Sequence, residues 1–556
     1  MPVQTAFAPY RLPPGALPEE ASRHATATAA EPLLVRLDEP LPGAMVGQAL
    51  ADIAAGHAGA PDEACRAADG TQSGSSGYLR ACLCSDRHLA RVGSAIASAL
   101  AAGFAGVCLD RPDAPIAQGF LGSGFCPECQ RFFSKELSRE YGDHFMPIDY
   151  LAMAREALAQ AAGAVTFAKL PFGRDFWRMR VTSLDRAVGL FTRAARDAAR
   201  AAGKPFEVTA QMEALGPAQL RASRHLDAAI FPVKGEGQTT GAGLFRLLRA
   251  AMGRRPVAAA LGGATPAPLA QRLAGVAAAC GVELIGLPPG GDGDLSALRR
   301  FARVVSAQRN APGVAEPVLE CAVLYSHEAD LWSGGDHRAQ VERAGDVLAA
   351  LQIQAPVVLS LADAPQNAVL VLAGAAALSS LEALELKRRV EAGASAIAFG
   401  DLGAVDDAGR DVAPPLPAGK PAGVKIGKGT LVQLPALPAP RPGTLLEPAQ
   451  LEAIAKPLSG LLGRGRRAAS VAGRAPVLAV LYRNEERLDA HLVTLGPGAA
   501  QGATLFLGLH VAGTARRARF QSADGRDEKI VMNPSGYSIS TVLPAFQGCA
   551  VLSVGA

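Results

Sequence analysis

At 556 residues, 49% of them hydrophobic and 19% charged, the chain has the composition of a folded globular protein and is too long for one hydrophobic core. Lys and Arg together exceed Asp and Glu by only four, which argues against a nucleic-acid or anionic-lipid surface, and no apolar run reaches the roughly 18–20 residues of a membrane span. Nine cysteines, odd in number and thinly spread, exclude a disulfide framework and fit thiols in a reducing compartment. The stretch MPVQTAFAPYRLPPGALPEE has no basic start followed by an apolar run, so the expected location is the cytoplasm.

Up to about residue 310, short apolar runs alternate with alanine-rich amphipathic segments. Eight runs read as strands: TAFAPYRL (5–12), PLLVRL (32–37), LRACLC (79–84), AGVCLD (105–110), FEVTAQ (206–211), AAIFPV (228–233), PVAAAL (256–261) and VELIGLP (282–288). RHLARVGSAIASALAAG, TSLDRAVGLFTRAARDAARAAG and PLAQRLAGVAAACG read as helices between them, each closed by the glycine expected just past a helix end. Eight strands with intervening helices predict a (β/α)8 TIM barrel over residues 1–312.

After the helix DLSALRRFARVVSAQ, a second alternating unit covers residues 313–473. LECAVLYS, APVVLSL, AVLVLAG and ASAIAFG read as parallel strands with ERAGDVLAAL and SLEALELKRRVEAG as helices, which predicts a small flavodoxin-like (class I amidotransferase-like) α/β domain. No cysteine follows a strand there as a nucleophile, so amidotransferase chemistry is not expected. From 474 to 556 the runs PVLAVLYRN, DAHLVTLG, ATLFLGLHV, ARRARFQS, GYSISTVLP and GCAVLSVG are separated by turn residues with no helix, predicting a small antiparallel β-sandwich.

AGVCLDRPD followed by FCPECQRFFSKELSREYG, then AVLYSHEADLW with VEAGASAIAFGDLG, then RNEERLDAHLVTL, resembles the β-galactosidase-like enzymes of glycoside hydrolase family 42 and their relatives carrying a β-galactosidase trimerisation domain. The resemblance covers most of residues 79–556. It implies a carbohydrate substrate or ligand and a homo-oligomer, a trimer being favoured. It also implies an Asn-Glu acid/base after strand 4 and a Glu nucleophile after strand 7. This chain has Asp110 without the Asn-Glu pair, and LGG with no carboxylate, at those places.

Glycoside cleavage needs two carboxyl groups across the scissile bond, and in a barrel these belong at the C-terminal strand ends. Asp38 follows the second strand, Asp110 ends the fourth, Glu213 lies just beyond the fifth and Glu236, between two glycines, follows the sixth. The apolar VCL run leaves Asp110 only the barrel mouth to project into. The expected roles are Asp110 as nucleophile or base and Glu236 or Glu213 as proton donor. Asp38, Gln211, Trp177 and Arg178 are candidate sugar-binding groups, an aromatic face suiting a sugar ring. No cofactor is required for this chemistry. Each residue also has a plainer reading: Asp110 as a loop cap, Glu236 as a solvated loop residue, Trp177 as a packed helix start.

Cys126 and Cys129 have the spacing of a zinc knuckle, and Cys82 and Cys84 end the neighbouring strand candidate. Four thiolates from adjacent loops would close one structural zinc site. On a regular strand Cys82 and Cys84 would share a face a full pleat apart, so the site requires that strand to end early or His88 to replace one thiol. Free thiols are the alternative. Two functions stay open: a glycoside hydrolase with paired carboxylates at a barrel mouth, or a non-catalytic glycan-binding or assembly scaffold that keeps the barrel.

Overall fold

The computed structural model describes residues 10–11, 50–75, 78–117, 121–142, 146, 148–160, 170–233, 240–261, 267–285, 316–333, 335–406, 409–438, 446–463, 467–484, 487–496 and 499–555. Seven parallel strands form its first sheet in sequential order: β1 (Tyr10–Arg11), β2 (Leu50–Ile53), β3 (Gly106–Asp110), β4 (Glu207–Gln211), β5 (Ala228–Val233), β6 (Val257–Leu261) and β7 (Glu283–Ile285). Helices connect them: α1 (Asp86–Ala101) before β3; α2 (Pro127–Tyr141), α3 (Tyr150–Gln160) and α4 (Gly173–Ala202) before β4; α5 (Pro217–Ala222) before β5; α6 (Ala242–Met252) before β6; α7 (Ala267–Cys280) before β7.

Side-chain alternation decides which face of this sheet does what. Val107 and Leu109 of β3, Val208 and Ala210 of β4, and Ala51 and Ile53 of β2 enter one core with Val92, Ile96, Leu184, Val188 and Phe191 of α1 and α4. Cys108 and Asp110, Thr209 and Gln211, and Asp52 therefore occupy the opposite face, where β2 and β3 pair Asp52 with Cys108 and β3 and β4 pair Asp110 with Gln211.

One strand reading is corrected and one strand was unforeseen. LRACLC is not a member of this sheet: Tyr78–Leu79 pairs antiparallel with Gly74–Ser75, and the chain then turns through Leu83 and Cys84 into α1. The strand beside β3 is instead β2, from LADI, which alanine and aspartate disguise because both are poor strand formers. Burial of Ala51 and Ile53 on the helix side overrides that preference. Of the first strand candidate the described part is β1; PLLVRL and DLSALRRFARVVSAQ lie outside the described residues.

The second sheet has the order β9-β8-β10-β11-β13-β12, from β8 (Cys321–Leu324), β9 (Val357–Val358), β10 (Val369–Ala373), β11 (Ser395–Phe399), β12 (Val424–Ile426) and β13 (Gly429–Leu434). All its pairs are parallel except β12 with β13. Its helices include α8 (His327–Ser333), α9 (Asp336–Ala350) and α10 (Ser380–Ala392), the last held by a capping box between Ser379 and Glu382. The Asp346 carboxylate of α9 accepts from the Thr240 hydroxyl at 2.6 Å and the Gly243 N–H at 2.9 Å, tying this unit to α6.

After α11 (Pro448–Leu462) come two antiparallel sheets built from β14 (Ala469–Ala472), β15 (Val477–Arg483), β16 (Arg487–Thr494), β17 (Thr504–Gly508), β18 (Arg517–Ser522), β19 (Asp527–Val531), β20 (Asn533–Ser535), β21 (Ser538–Val542) and β22 (Cys549–Gly555). One runs β15-β16-β22-β18-β19 with Glu316–Pro317 at its edge, the other β14-β17-β21-β20. Leu481, Leu492, Leu505, Leu507, Phe520 and Phe546 form their shared core. Among the described residues no helix is long and apolar enough to cross a membrane.

Candidate functional site

Asp110, the last residue of β3, is 6% exposed and stands at the strand's C-terminal end. Arg111 Nε lies 3.2 Å from its Oδ1, and His57 Nε2 lies 3.9 Å from its Oδ2. Arg111 Nη2 is also 3.3 Å from His57 Nε2, so guanidinium, imidazole and carboxylate form one group. Arg111 reaches this position from a left-handed backbone (φ 44°), a strained state for a residue with a Cβ that costs about 1–3 kcal/mol. Its N–H is anchored 2.8 Å from the Gln211 carbonyl. Gly56 donates its N–H to the Asp110 carbonyl at 3.0 Å, and a Cβ there would meet the Arg111 carbonyl oxygen at 2.0 Å. Only glycine lets the β2 and β3 loops approach this closely.

The loops after β3 and β4 are joined by Asp113, which is fully buried. Its carboxylate accepts from the Glu213 N–H at 2.8 Å, the Ala214 N–H at 3.0 Å and the Gln219 amide at 2.8 Å. Burial pushes this carboxyl up to about 6, against the pull of those three donors. Glu213 itself is held in a two-pronged ion pair by Arg80, at 2.9 and 3.1 Å. Arg80 also donates to the Ala114 carbonyl, so one buried guanidinium ties three loops together.

The remaining sequence candidates separate. Asp38 and Glu236 lie outside the described residues. Gln211 ends β4 in register with Asp110. Trp177 packs half-buried against the main core with the Arg180 guanidinium 5.7 Å from its ring centre. Arg178 stacks 5.2 Å from the Trp332 ring centre and so is engaged with α8 of the second unit. His57, Arg80, Arg111 and Asp113 were not singled out by sequence reasoning. The RPD after LD was the one available signal, three charged or rigid residues placed directly behind a strand end.

The cysteine cluster differs by one member from the expected set. The sulfurs of Cys65, Cys82, Cys126 and Cys129 lie within 4.8 Å of one another, all four residues buried. Cys65 takes the fourth place instead of Cys84, because its N–H bonds the Arg80 carbonyl at 2.8 Å and Ala64 bridges Ala81. Those bonds carry Cys65 to the start of the segment in which Cys82 sits. Cys84, two residues on and past the turn, is buried beside them and is pulled down to about 5 by its hydrogen bond with Cys129. His88 is not a member: it is buried in α1 with Nδ1 3.0 Å from Arg91 Nη2, and burial lowers it to about 4.

The donor set fits a tetrahedral metal. Cys82 lies 3.2 Å from Cys126 and 3.4 Å from Cys129, sulfur to sulfur, close to the roughly 3.8 Å that four metal–sulfur bonds of about 2.3 Å impose. Gly124 donates its N–H to Cys65 Sγ at 3.3 Å from a left-handed backbone (φ 97°) that suits glycine. Hydrogen bonds from Cys126, Cys129 and Cys82 hold the Cys65 thiol well below its usual range, as a thiolate ligand requires. Phe125, Phe133, Tyr150 and Phe176 wall the cluster off, and the buried Arg180 guanidinium, bonded to the Pro115 carbonyl at 2.8 Å, sits beside it.

No protein-family model matches the sequence, and no curated protein sequence matches it. Solved structures do match its fold. The family 42 β-galactosidase Gan42B of G. stearothermophilus aligns with a TM-score of 0.63 and 12% identity over 92% of this chain and 88% of its own. A β-galactosidase from Bacillus circulans sp. alkalophilus gives 0.63 and 11% over 91% and 89%. An α-L-fucosidase from Paenibacillus thiaminolyticus gives 0.56 and 13% over 91% and 87%. The chain thus resembles family 42 β-galactosidases in fold along most of its length.

Proposed function

We propose, with that glycosidase-like fold as the premise, that the protein is a glycoside hydrolase in which the reacting carboxylate is Asp110. The observation that carries this reading is the placing of Asp110 at the C-terminal end of β3, on the face away from the helices, between Arg111 and His57. Attack by Asp110 on the anomeric carbon forms one C–O bond as the glycosidic C–O bond breaks, a second carboxyl giving its proton to the departing oxygen; water then displaces Asp110 from the anomeric carbon and returns a proton to that second carboxyl. Glu213 is occupied as an acceptor by Arg80, so the proton-donor role falls to Glu236. Gln211 and Asp38 are the proposed groups for sugar hydroxyls, and the seven-stranded parallel sheet that bears Asp110 would be part of a (β/α)8 barrel over residues 1–312.

The wider reading follows the same line. Cys65, Cys82, Cys126 and Cys129 hold a structural zinc ion, which supplies a crosslink between the loops after β2 and β3 and no reaction chemistry. The second sheet, residues 313–473, is a flavodoxin-like assembly domain that makes the protein a homo-oligomer, a trimer being favoured. Leu381 and Leu384 of α10 are 79% and 65% exposed, as a contact between copies requires. Residues 474–556 form the terminal sandwich. Nine buried cysteines, none of them in a disulfide, suit the cytoplasm.

A panel of aryl glycosides and oligosaccharides tests the reading on wild type beside Asp110→Asn. Hydrolysis of at least one member by wild type, abolished in Asp110→Asn with unchanged thermal unfolding, is expected; full activity in the variant refutes it. The second reading, a glycan-binding scaffold, is favoured by the absence of Asn-Glu after β3 and of a carboxylate in LGG after β6. It predicts binding without hydrolysis by wild type.

A further inference from the structure

The sheet β14-β17-β21-β20 carries a cleft of about 210 Å³ lined by Arg467, Ser470, Phe506, Gly508, Tyr537 and Ser538. Strand alternation sends Leu505, Leu507 and Ile539 into the core and leaves Phe506 on the outer face. There it stands in register between Ser470 of β14 and Ser540 of β21. Tyr537, in the turn before β21, is 76% exposed. An aromatic ring flanked by hydroxyls, with a second ring standing free, spends apolar surface in water for no packing gain.

Arg467 adds a fixed cation. Its Nη2 donates to the Leu351 carbonyl at 2.6 Å and the Gln352 carbonyl at 3.2 Å, and its Nε faces Glu320 at 3.5 Å. These bonds use Nη2 and Nε and fix the guanidinium of a residue that lines the cleft. A purely apolar ligand would cover the Ser470 hydroxyl and part of this guanidinium without offering either a hydrogen bond. A bare anion would not use two rings. The cleft is smaller than the roughly 300–1,000 Å³ of sites for drug-sized molecules, a size for one ring.

We propose that this cleft binds a single sugar unit of a glycan, with the ring's C–H face on Phe506 and Tyr537 and its hydroxyls on Ser470, Ser538 and Arg467. The inference shares the carbohydrate class with the reading above and stands without hydrolysis at Asp110. Full-length wild type, Asp110→Asn, Phe506→Ala and Tyr537→Ala are run through native gels containing soluble β-galactan, β-glucan or polygalacturonate at graded concentrations. At least one polysaccharide should retard wild type and Asp110→Asn equally, and each aromatic variant should weaken that retardation about tenfold.

Absence of retardation by all three, or retardation unchanged in Tyr537→Ala, overturns the proposal. So does retardation lost in Asp110→Asn alone, which assigns the binding to the first sheet. Light scattering is run in parallel: a Tyr537→Ala chain of smaller assembly size marks this face as a contact between copies and also overturns it. Tyr537 is exposed, so its variant keeps the wild-type thermal unfolding and remains a valid test if Phe506→Ala does not fold. Retardation without hydrolysis sinks the Asp110 reading alone, and hydrolysis without retardation sinks this one alone.

Discussion

Replacing Asp113 by Ala should release the loop after β4 while leaving the rest of the chain folded. The carboxylate is the acceptor for three donors, two of them the backbone N–H groups of Glu213 and Ala214. A hydrogen bond to a charged acceptor contributes about 1.5–3 kcal/mol, and a buried N–H left without one costs about 1–3 kcal/mol. Gln219 can turn to another partner; the two backbone amides cannot. Allowing for partial relaxation, the local cost is about 2–4 kcal/mol. At the lower figure, opening at these two amides becomes about 30-fold more frequent. Hydrogen exchange followed by mass spectrometry at pH 7.5 reads this directly in a peptide covering residues 211–216. Amides of β10 serve as the internal standard for a fold that is otherwise intact. Exchange at Glu213 and Ala214 within about twofold of wild type, with β10 protected, would refute the assignment of Asp113 as the tie between the β3 and β4 loops.

Three further outcomes are expected. Asp113 is raised from its ordinary value of 3.8 to about 6 in the folded chain, so the folded state binds the extra proton between those values. Its contribution is fully present below pH 3.8 and is lost as pH rises through about 6, a difference of about 3 kcal/mol. Denaturant unfolding of wild type compared with Asp113→Asn should show wild type losing ground across that window, and a pH-independent difference would contradict it. Cys65→Ser should lower zinc content from about one equivalent per chain, whereas Cys84→Ser should retain it, as measured by elemental analysis; equal loss in both contradicts the four-sulfur assignment. Light scattering of Leu381→Glu with Leu384→Glu should give a smaller assembly than wild type, and an unchanged mass would remove α10 from the contact between copies.

Much of the arrangement was legible along the chain because its signals are periodic. Runs such as GVCLD and EVTAQ announce strands buried on both faces, and the alternation of apolar runs with Ala-rich helices announces a parallel sheet. The switch to short strands without long helices after residue 474 is equally local. LADI escapes a sequence reading since two of its four residues disfavour strands, and LRACLC resembles a sheet strand because a mostly apolar six-residue segment in a loop looks the same as one in a sheet. Only the antiparallel bridges of residues 64–81 distinguish them.

By itself the sequence determined the parallel α/β sheets, the antiparallel end and the presence of Asp110 at a strand terminus. It also set Cys126 and Cys129 at the spacing of a metal-binding pair. Those features follow from neighbours a few residues apart, where backbone geometry sets which side chains share a face. Tertiary structure alone decided that Cys65 and not Cys84 completes the sulfur cluster, that Arg80 occupies Glu213, and that His57 and Arg111 bracket Asp110. Each of those contacts, except Arg111 with its neighbour Asp110, joins residues 17 or more apart in the chain. Which ones meet is set by how loops close between packed strands and helices, a property that no local pattern carries.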